Sequence, residues 1–467
     1  MKILLVQPAG EWVRVRPGQP PLPRAMLRFS VMPLTIVGAL TPSRHAVRLI
    51  DENVEALDCD EDVDLVAITF MTALAPRAYE IAAAFRARGK MVVAGGYHPT
   101  FMPDEVAQHF DAVVVGDAEG QWPKLLADLE AGRLERIYRR ATPCDARDIP
   151  TPRRDLVAHT ARHYVTADAV QIARGCPHAC RYCSITAFHR GTHRTRPLEA
   201  VIAEVRRLTG DFMFIDDNVI ADREYARGLF QALAPLRKRW VTQCSIEIAD
   251  DAELLALAHA AGCRGLFIGI ESLDPRNLES VDKGFGRCQS YAERIARIRR
   301  QGIGVVASVI LGLDHDDVTV FERTLRFLES AHVDACQVNI LTPLPGTPLY
   351  GQFERAGRIL DRNWGHYDFR HAVIRPAKMS AEELSAGADW LRREFYRPAR
   401  IVRRVIEAAL RLGPMPAWLS MRLNLTYRRD NLHEGIIGWN PAYRAHSELP
   451  GTATFLPLRQ RKMHSPL

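Results

Sequence analysis

The sequence predicts an α/β protein in three parts: a doubly wound Rossmann-like parallel sheet, a partial parallel (β/α)6 barrel, and a mainly helical C-terminal region. Short apolar, β-branched runs alternate with helical patterns on both sides of a polar, Pro-containing stretch, and such alternation implies parallel strand pairing. After residue 341 the strand signals stop while helical periodicity continues. The predicted boundaries are 1–140, a linker over 141–165, 166–375 and 376–467.

The composition is that of an ordinary globular protein, with 47% hydrophobic and 25% charged residues. The net charge of +7 comes from arginines scattered along helical stretches, so no nucleic-acid partner is expected. No apolar run approaches bilayer-spanning length, and the apolar core of the first ten residues is too short for a signal peptide. Nine cysteines, an odd number, favour a reducing cytoplasm.

Five strands are predicted in the N-terminal part: Lys2–Val6, Val47–Asp51, Leu65–Thr69, Met91–Ala94 and Ala112–Val115. Helical patterns separate them, for example over 75–88 and 121–131. Ligands of such sheets bind outside the carboxyl ends of the strands. Two loops there, at 95–100 and 116–120, are rich in glycine, which lets the backbone approach a cofactor closely.

The second part contains six predicted strands: Val170–Arg174, Phe212–Ile215, Trp240–Ile246, Gly265–Ile270, Gly304–Leu311 and Ala335–Leu341. Helical stretches again lie between them. Six βα units are too few to close an eight-stranded barrel, so we expect an open side. Parallel barrels carry their active sites at the carboxyl ends of the strands.

Three cysteines directly follow the first barrel strand, with the spacing C-x3-C-x2-C: Cys176, Cys180 and Cys183. A [4Fe–4S] cluster has four irons, so three thiolate ligands leave one iron open. An open coordination position is typical of a catalytic metal site. The alternatives are a zinc knuckle, with His178 or a later histidine as fourth ligand, and three buried thiols.

With Tyr182 immediately before the third cysteine, this loop resembles the cluster-binding loop of the radical S-adenosylmethionine (SAM) enzymes. The resemblance implies that the open iron binds the amino and carboxylate groups of SAM. It also implies that an electron from the cluster cleaves SAM to a 5′-deoxyadenosyl radical. A reductant such as flavodoxin or ferredoxin would supply that electron.

Polar residues stand at the carboxyl ends of other barrel strands. Asp216, Asp217 and Asn218 follow the second strand, Glu271 ends the fourth in the string G-I-E-S, and Ser308 lies on the fifth. The resemblance implies SAM contacts for them. The structural alternative is a helix cap or an internal salt bridge, because a buried carboxylate needs a partner in either case.

The N-terminal part resembles the cobalamin-binding domain found upstream of one large radical SAM class. The matching pieces are the GGYHPT and GDAEG loops, each after a strand. We assign cofactor contacts to Gly95, Gly96, His98, Gly116 and Glu119. The string D-x-H-x-x-G, whose histidine ligates cobalt from below, does not occur. Cobalt would therefore be unligated below or hold water; the alternative is a flavodoxin-like scaffold.

The remaining cysteines argue against a second cluster. The tRNA methylthiotransferases share the cluster motif and G-I-E-S but need three further N-terminal cysteines, whereas only Cys59 and Cys144 precede the barrel. That family is therefore excluded. Four cysteines in or beside barrel elements lack cluster spacing and are predicted to be core residues: Cys244, Cys263, Cys288 and Cys336.

Two helices are predicted near the C-terminus. Ser380 followed by Glu383 is a capping box that opens the first, through about Arg397. The next segment, 397–413, has an apolar face with arginines largely off it. Such a helix packs on the barrel, or lies at a membrane surface and docks the open barrel mouth there.

The resemblance covers roughly residues 1–375 and implies a cobalamin-dependent radical SAM enzyme that methylates an unactivated carbon. The deoxyadenosyl radical would abstract hydrogen, methylcobalamin would donate the methyl group, and a second SAM would restore it. The substrate would be a small molecule or a lipid, with a peripheral membrane contact in the lipid case. The alternatives are a radical oxidative cyclase of the same architecture and a non-catalytic cobalamin and iron–sulfur sensor.

Overall fold

A computed structural model describes residues 1–11, 14–18, 31–164, 168–283 and 290–432. It contains two six-stranded parallel sheets, each flanked by helices, followed by three consecutive helices. The fold class predicted from the sequence is confirmed. Cys288, predicted to be a core residue, lies outside the described residues.

The N-terminal sheet has the strand order β2-β1-β3-β4-β5-β6. Its strands are β1 Lys2–Gln7, β2 Ala46–Asp51, β3 Leu65–Thr69, β4 Met91–Gly95, β5 Ala112–Val115 and β6 Ile137–Arg139. Its helices are α1 Met32–Leu40, α2 Ala75–Arg86, α3 Tyr97–Phe101, α4 Pro103–Val106 and α5 Gln121–Glu130. The prediction missed β6 and α1.

Both faces of this sheet are buried, as the apolar runs require. Along β1, Leu4 and Val6 belong to one hydrophobic cluster, while Ile3 and Leu5 belong to another on the opposite face. This two-residue alternation with both faces apolar is typical of a parallel strand between two helical layers. The carboxyl ends of the strands are left to carry the loops at 95–100 and 116–120.

The second sheet has the order β14-β13-β12-β11-β10-β7 and is an open, partial barrel. Its strands are β7 Asp168–Val170, β10 Phe212–Phe214, β11 Trp240–Cys244, β12 Cys263–Glu271, β13 Gly304–Leu311 and β14 Ala335–Ile340. The helices between them are α6 Ser184–Phe188, α7 Leu198–Arg207, α8 Arg223–Leu233, α9 Ala252–Ala260, α10 Pro275–Ser280, α11 Tyr291–Arg300 and α12 Val320–Ser330.

The first barrel strand differs from the prediction, which ran it unbroken from Val170 to Arg174. The structure ends β7 at Val170, and β8 Ala173–Arg174 pairs antiparallel with β9 Arg194–Thr195. The cause is Asp216, whose carboxylate accepts hydrogen bonds from the backbone N–H groups of Ile172 and Ala173. A side chain thus takes the place of a neighbouring strand just before the cysteines.

The segment after β14 crosses from the barrel to the N-terminal domain. It includes α13 Pro348–Arg355, and Trp364 beyond it donates from its indole Nε1 to Glu105 Oε1 over 2.8 Å. The same indole ring packs edge-on against His98. This contact joins the carboxyl ends of the two sheets at one side.

The last three helices are α14 Ala381–Phe395, α15 Pro398–Leu412 and α16 Pro414–Leu432. The predicted capping box is confirmed, because Ser380 and Glu383 each bond to the other's backbone N–H. Beyond α14, the Tyr396 hydroxyl bonds to the backbone of Cys336, at the start of β14. Across the part of the chain that the structure describes, none of the helices is both long and apolar enough for a membrane span.

These contacts place α15 and α16 at the amino ends of the barrel strands. Asn424 on α16 donates to the carbonyl of Asp334, directly before β14, and His332 lies 2.6 Å from Glu407 on α15. The cysteines lie at the opposite end of the barrel. The prediction that this segment docks the barrel mouth at a surface is therefore wrong, because the helix packs at the base.

Candidate active site

The three motif cysteines occupy one tight loop after β8. Cys180 is buried and the other two are half-buried, and the N–H of Cys183 bonds to the carbonyl of Cys180 over 3.0 Å. Gly175 precedes them with φ +84°, and an added Cβ there would clash with the carbonyl of Thr192. Glycine is therefore required for the bend that starts the loop.

The donor set of this loop fits an iron–sulfur cluster. Burial raises the pKa of Cys176 and of Cys180 to about 11, and the neighbouring thiols act in the same direction. Without a metal these groups are therefore neutral thiols. Soft thiolate ligands select iron–sulfur clusters or zinc, and binding of the metal drives their deprotonation.

Asp216 and Asn218 hold the backbone around the cluster loop. Both oxygens of Asp216 accept from the N–H of Ile172 at 3.0 Å, and one accepts from that of Ala173 at 2.6 Å. Asn218 Oδ1 accepts from the N–H of Ser245 at 3.0 Å. The structure thus shows Asp216 supporting the backbone that leads to Cys176, and its SAM contact stays a prediction.

Asp217, between these two residues, is half-buried. Burial raises its pKa to about 7. Its charge acts on the thiols of Cys176 and Cys183 and on the hydroxyl of Tyr97 from the N-terminal domain. Asp217 therefore lies close to the cluster loop and to Tyr97, and its SAM contact stays a prediction.

Glu271 ends β12 in a strained backbone conformation, with φ +61°. Its Oε1 accepts from Lys283 Nζ at 2.5 Å and from the Tyr182 hydroxyl at 3.2 Å. The sequence analysis missed Lys283, whose only signal is its position shortly after the G-I-E-S string. The ammonium group opposes the rise in the pKa of Cys180, so this buried pair lies beside the cluster loop.

A polar ladder lines the last two barrel strands. Ser308 on β13 accepts from Asn339 Nδ2 at 3.1 Å, and Asn339 Oδ1 accepts from Gln337 Nε2 at 3.2 Å. Gln337 and Asn339 are half-buried and Ser308 is buried. The sequence marked Ser308 for cofactor contact, and that assignment stays a prediction.

The glycine loops of the N-terminal domain leave open space next to the backbone. A Cβ added to Gly95 or Gly116 would meet no atom within 4 Å. Gly96 has φ +104°, and a Cβ there would press on Thr69 and Phe70. Bare backbone beside an open space fits the broad, flat corrin ring of a cobalamin, which glycine allows to approach closely.

His98 and Glu119 are both buried in the protein, and their predicted cofactor contacts stay predictions. The His98 ring is 0% exposed and its Nε2 lies 3.2 Å from the Tyr79 hydroxyl. Burial lowers its pKa to about 4, so the ring is neutral. Glu119 is 1% exposed and binds Arg174 through both oxygens, at 2.6 and 2.8 Å. No ring nitrogen of His98 therefore faces the open space.

A cavity of about 610 Å³ adjoins the cluster loop. Pro177 and His178 of the loop line one side, while Asn218, Ser245 and Glu247 line the other. His178 is half-buried there, and burial lowers its pKa. The cavity thus lies between the cysteine loop and the carboxyl ends of β10 and β11.

Two family profiles match the chain and together cover more than half of it. The profile of the B12 binding domain matches residues 24–126, and that of the radical SAM superfamily matches residues 170–328. The chain belongs to the radical SAM superfamily. Its barrel follows a B12 binding domain, so the predicted cofactors are confirmed: a [4Fe–4S] cluster, SAM and cobalamin. These profiles exclude the zinc knuckle and the flavodoxin-like scaffold.

The proteins similar to this radical SAM enzyme include several methyltransferases and also a cyclase, the anaerobic magnesium-protoporphyrin IX monomethyl ester cyclase of Cereibacter sphaeroides, at 25% identity over 65% of this chain and 55% of that protein. Bacteriochlorophyllide d C-12(1)-methyltransferase of Chlorobaculum tepidum is 29% identical, over 86% of this chain and 89% of the relative. Hopanoid C-2 methylase of Rhodopseudomonas palustris is 27% identical, over 72% of this chain and 67% of the relative. The prediction of a cobalamin-dependent radical SAM C-methyltransferase is confirmed.

Solved structures show the same fold. The cobalamin-dependent SAM radical enzyme OxsB, with aqua-cobalamin and SAM bound, superposes with a TM-score of 0.63 at 13% identity. The match covers 96% of this chain and 75% of OxsB. At this identity the likeness concerns the fold alone.

Proposed function

We propose that this enzyme methylates an unactivated carbon of a hydrophobic small molecule, a tetrapyrrole or an isoprenoid lipid. The cluster, SAM and cobalamin, when bound, supply the radical that removes hydrogen and the methyl group that replaces it. The observation that carries the proposal is the approach of the two cofactor loops: Tyr97, next to Gly96, packs against Phe188 on α6 with ring centroids 4.7 Å apart.

The protein's own residues position and enclose this chemistry. Cys176, Cys180 and Cys183 would hold the cluster, and the buried Lys283–Glu271 pair lies beside it with an ammonium group suited to a carboxylate. Gly95 and Gly116 would expose backbone to the corrin ring. A radical next to an unactivated carbon must be kept from water and stray hydrogen donors, which the packing of the two domains achieves.

We further propose an external electron donor, a small reductant such as flavodoxin or ferredoxin, in a reducing cytoplasm. Pro177 and Ala179 are exposed at the surface directly beside the cluster ligands. Such exposure allows a protein donor to approach the cluster closely.

The experiment uses SAM with a trideuterated methyl group, a reductant and the anaerobically reconstituted enzyme loaded with hydroxocobalamin. A bacteriochlorophyllide and a hopanoid are offered in separate reactions. The proposal predicts that one of them gains an intact trideuteromethyl group, together with formation of 5′-deoxyadenosine. A product that is dehydrogenated or ring-closed without the label would instead favour the oxidative cyclase.

A peripheral membrane contact is a second proposal, supported by the base of the barrel. Large apolar side chains on α15 and α16 are exposed: Val402, Ile406, Leu410, Trp418, Met421 and Leu425. Arg403 is exposed among them, and Arg422 stacks on Trp418. Apolar, tryptophan and arginine side chains on one face are typical of a helix at an anionic lipid surface.

A further inference from the structure

Four charged side chains bridge the two domains beside the cluster loop. Arg174 on β8 binds Glu119 through both oxygens, and it binds Asp117 Oδ1 at 2.9 Å. Arg194 on β9 binds Asp117 Oδ2 at 3.1 Å. Asp117 and Glu119 belong to the N-terminal domain, and the arginines belong to the barrel. We call this group the interdomain clamp.

The clamp is buried and its charges balance. The exposed fraction of the Arg174 side chain is 10%, that of Asp117 is 6% and that of Glu119 is 2%. Removing one partner of such a set leaves a charge buried without compensation. A guanidinium held by two carboxylates also has a fixed direction, which a lysine ammonium would not have. The clamp therefore fixes the orientation of Arg174 as well as its charge.

Each end of the clamp continues directly into a cofactor loop. Arg174 is followed by Gly175, whose crowded bend leads to Cys176. Glu119 lies in the loop 116–120, where Gly116 adjoins the open space that fits a corrin ring. A shift of either loop would disturb the clamp, because the guanidinium of Arg174 binds both carboxylates at once.

We propose that the interdomain clamp couples the binding of cobalamin to the geometry of the cluster loop. Arg174, Asp117, Glu119 and Arg194 are positioning residues in this scheme. They act through the two loops and not by contact with the substrate. Coupling between two binding sites is reciprocal, so a cluster in place must raise the affinity for cobalamin by the same factor as the reverse.

The test measures the Kd of hydroxocobalamin for the full-length protein with and without its reconstituted cluster. In the wild type we expect the cluster to tighten binding by at least about fivefold, the lower range of typical coupling between sites. Glu119→Gln keeps the shape of the side chain but removes a buried charge. Arg174→Lys keeps the charge but removes the planar guanidinium that binds two carboxylates. In both variants the ratio of the two Kd values should fall towards one.

Arg294→Lys is the matched control, since Arg294 is 9% exposed at its side chain and forms a forked pair with Asp250 within the barrel. Its ratio should equal that of the wild type. A wild-type ratio in Glu119→Gln, or a ratio of one in the wild type, would overturn the proposal.

A second measurement uses the unaltered protein and does not depend on the folding of a variant. The Mössbauer spectrum of the oxidised, ⁵⁷Fe-labelled cluster, which does not exchange electrons with cob(III)alamin, is recorded before and after addition of hydroxocobalamin. We expect the spectrum to change, because the loop that carries the thiolates is drawn to the cobalamin loop through the clamp. An unchanged spectrum with cobalamin bound would show that the clamp does not couple cobalamin binding to the cluster loop, and would overturn the proposal.

Discussion

The two ends of the barrel are built from the same strands and each holds a buried ion pair, Arg299 with Asp334 at the base, but the ends differ in their other side chains. At the carboxyl end, charged groups are buried and paired, as in Lys283 with Glu271 and Arg174 with Glu119. At the base, Val402, Ile406 and Leu410 expose apolar surface. Burying charge is costly and is retained where a site needs it, whereas exposed apolar surface indicates a contact face. We therefore assign the catalytic chemistry to the carboxyl end of the barrel and a contact with a membrane surface to the base.

The largest expected effect comes from removing the cluster ligands at the carboxyl end of the barrel. Alanine at Cys176, Cys180 or Cys183 should abolish both iron binding and SAM cleavage, because each removes one of three thiolates. Cys263→Ala is the matched control, since Cys263 is also a buried free cysteine but is not in the motif and lies at the start of β12. Iron content and 5′-deoxyadenosine are measured after anaerobic reconstitution. SAM cleavage retained in all three variants would contradict the assignment.

A second prediction compares ion pairs from the two ends. Lys283→Met leaves Glu271 buried without its partner, and the free energy of unfolding should drop by roughly 3–5 kcal/mol. The base pair Arg400–Glu329 is about a third exposed, so Arg400→Met should cost under about 1 kcal/mol. Urea denaturation measures both. Adding Glu271→Gln to Lys283→Met should restore stability but not SAM cleavage. Equal losses of stability in Lys283→Met and Arg400→Met would contradict the proposed difference between the two ends of the barrel.

The third prediction concerns pH. Because burial raises the pKa of Asp216 to about 8, the folded protein keeps its proton where the unfolded carboxyl, with a pKa near 3.8, is ionised. The stability that protonated Asp216 contributes is therefore present at low pH. It is lost as the pH rises towards 8, by at most about 1.4 kcal/mol per pH unit.

Asp216→Asn mimics the neutral form and still accepts from Ile172 and Ala173, so it provides the reference. Denaturation of the cluster-free protein at pH 5, 6 and 7 should show wild-type stability falling relative to Asp216→Asn. A difference that does not change with pH would mean that Asp216 is already ionised in the folded protein.

The smallest expected effect concerns the base. Arg403→Gln and Arg411→Gln should weaken co-sedimentation with anionic liposomes by about 1 kcal/mol each, and high salt should do the same. Arg404 is a poor choice, because it bonds to Asn424 and to the carbonyl of Phe395. Arg86→Gln, at the end of α2, and Arg88→Gln, in the turn after it, change the net charge equally and serve as controls. If the wild type binds anionic liposomes no better than the variant with both Arg403→Gln and Arg411→Gln, α15 only packs on the barrel and does not contact a membrane.

The sequence was sufficient where a pattern is local. The spacing of three cysteines located the cluster loop, and alternating apolar runs located both sheets, because those patterns need no knowledge of distant residues. It was insufficient where a residue's contacts depend on its partner across the fold. Asp216, Glu119 and His98 were assigned to cofactors by position in a loop, and the structure shows that each contacts Ile172, Arg174 or Tyr79. Lys283 was missed for the same reason.

The base of the barrel shows the same limit. Amphipathic periodicity predicted α15, and the capping box predicted the start of α14, but periodicity does not say which end of the barrel a helix covers. That is decided by contacts such as Asn424 with Asp334, which join residues far apart in the chain.

The most direct measurement of the central claim follows both cofactors in one sample without a substrate. The enzyme, reconstituted with its cluster and loaded with hydroxocobalamin, receives a reductant and SAM with a trideuterated methyl group under anaerobic conditions. We predict 5′-deoxyadenosine and transfer of the labelled methyl group to cobalamin, with no splitting from a protein histidine in the cob(II)alamin EPR spectrum. Cobalamin that stays unlabelled while 5′-deoxyadenosine forms would contradict methyl transfer, and the absence of both products would indicate a sensor.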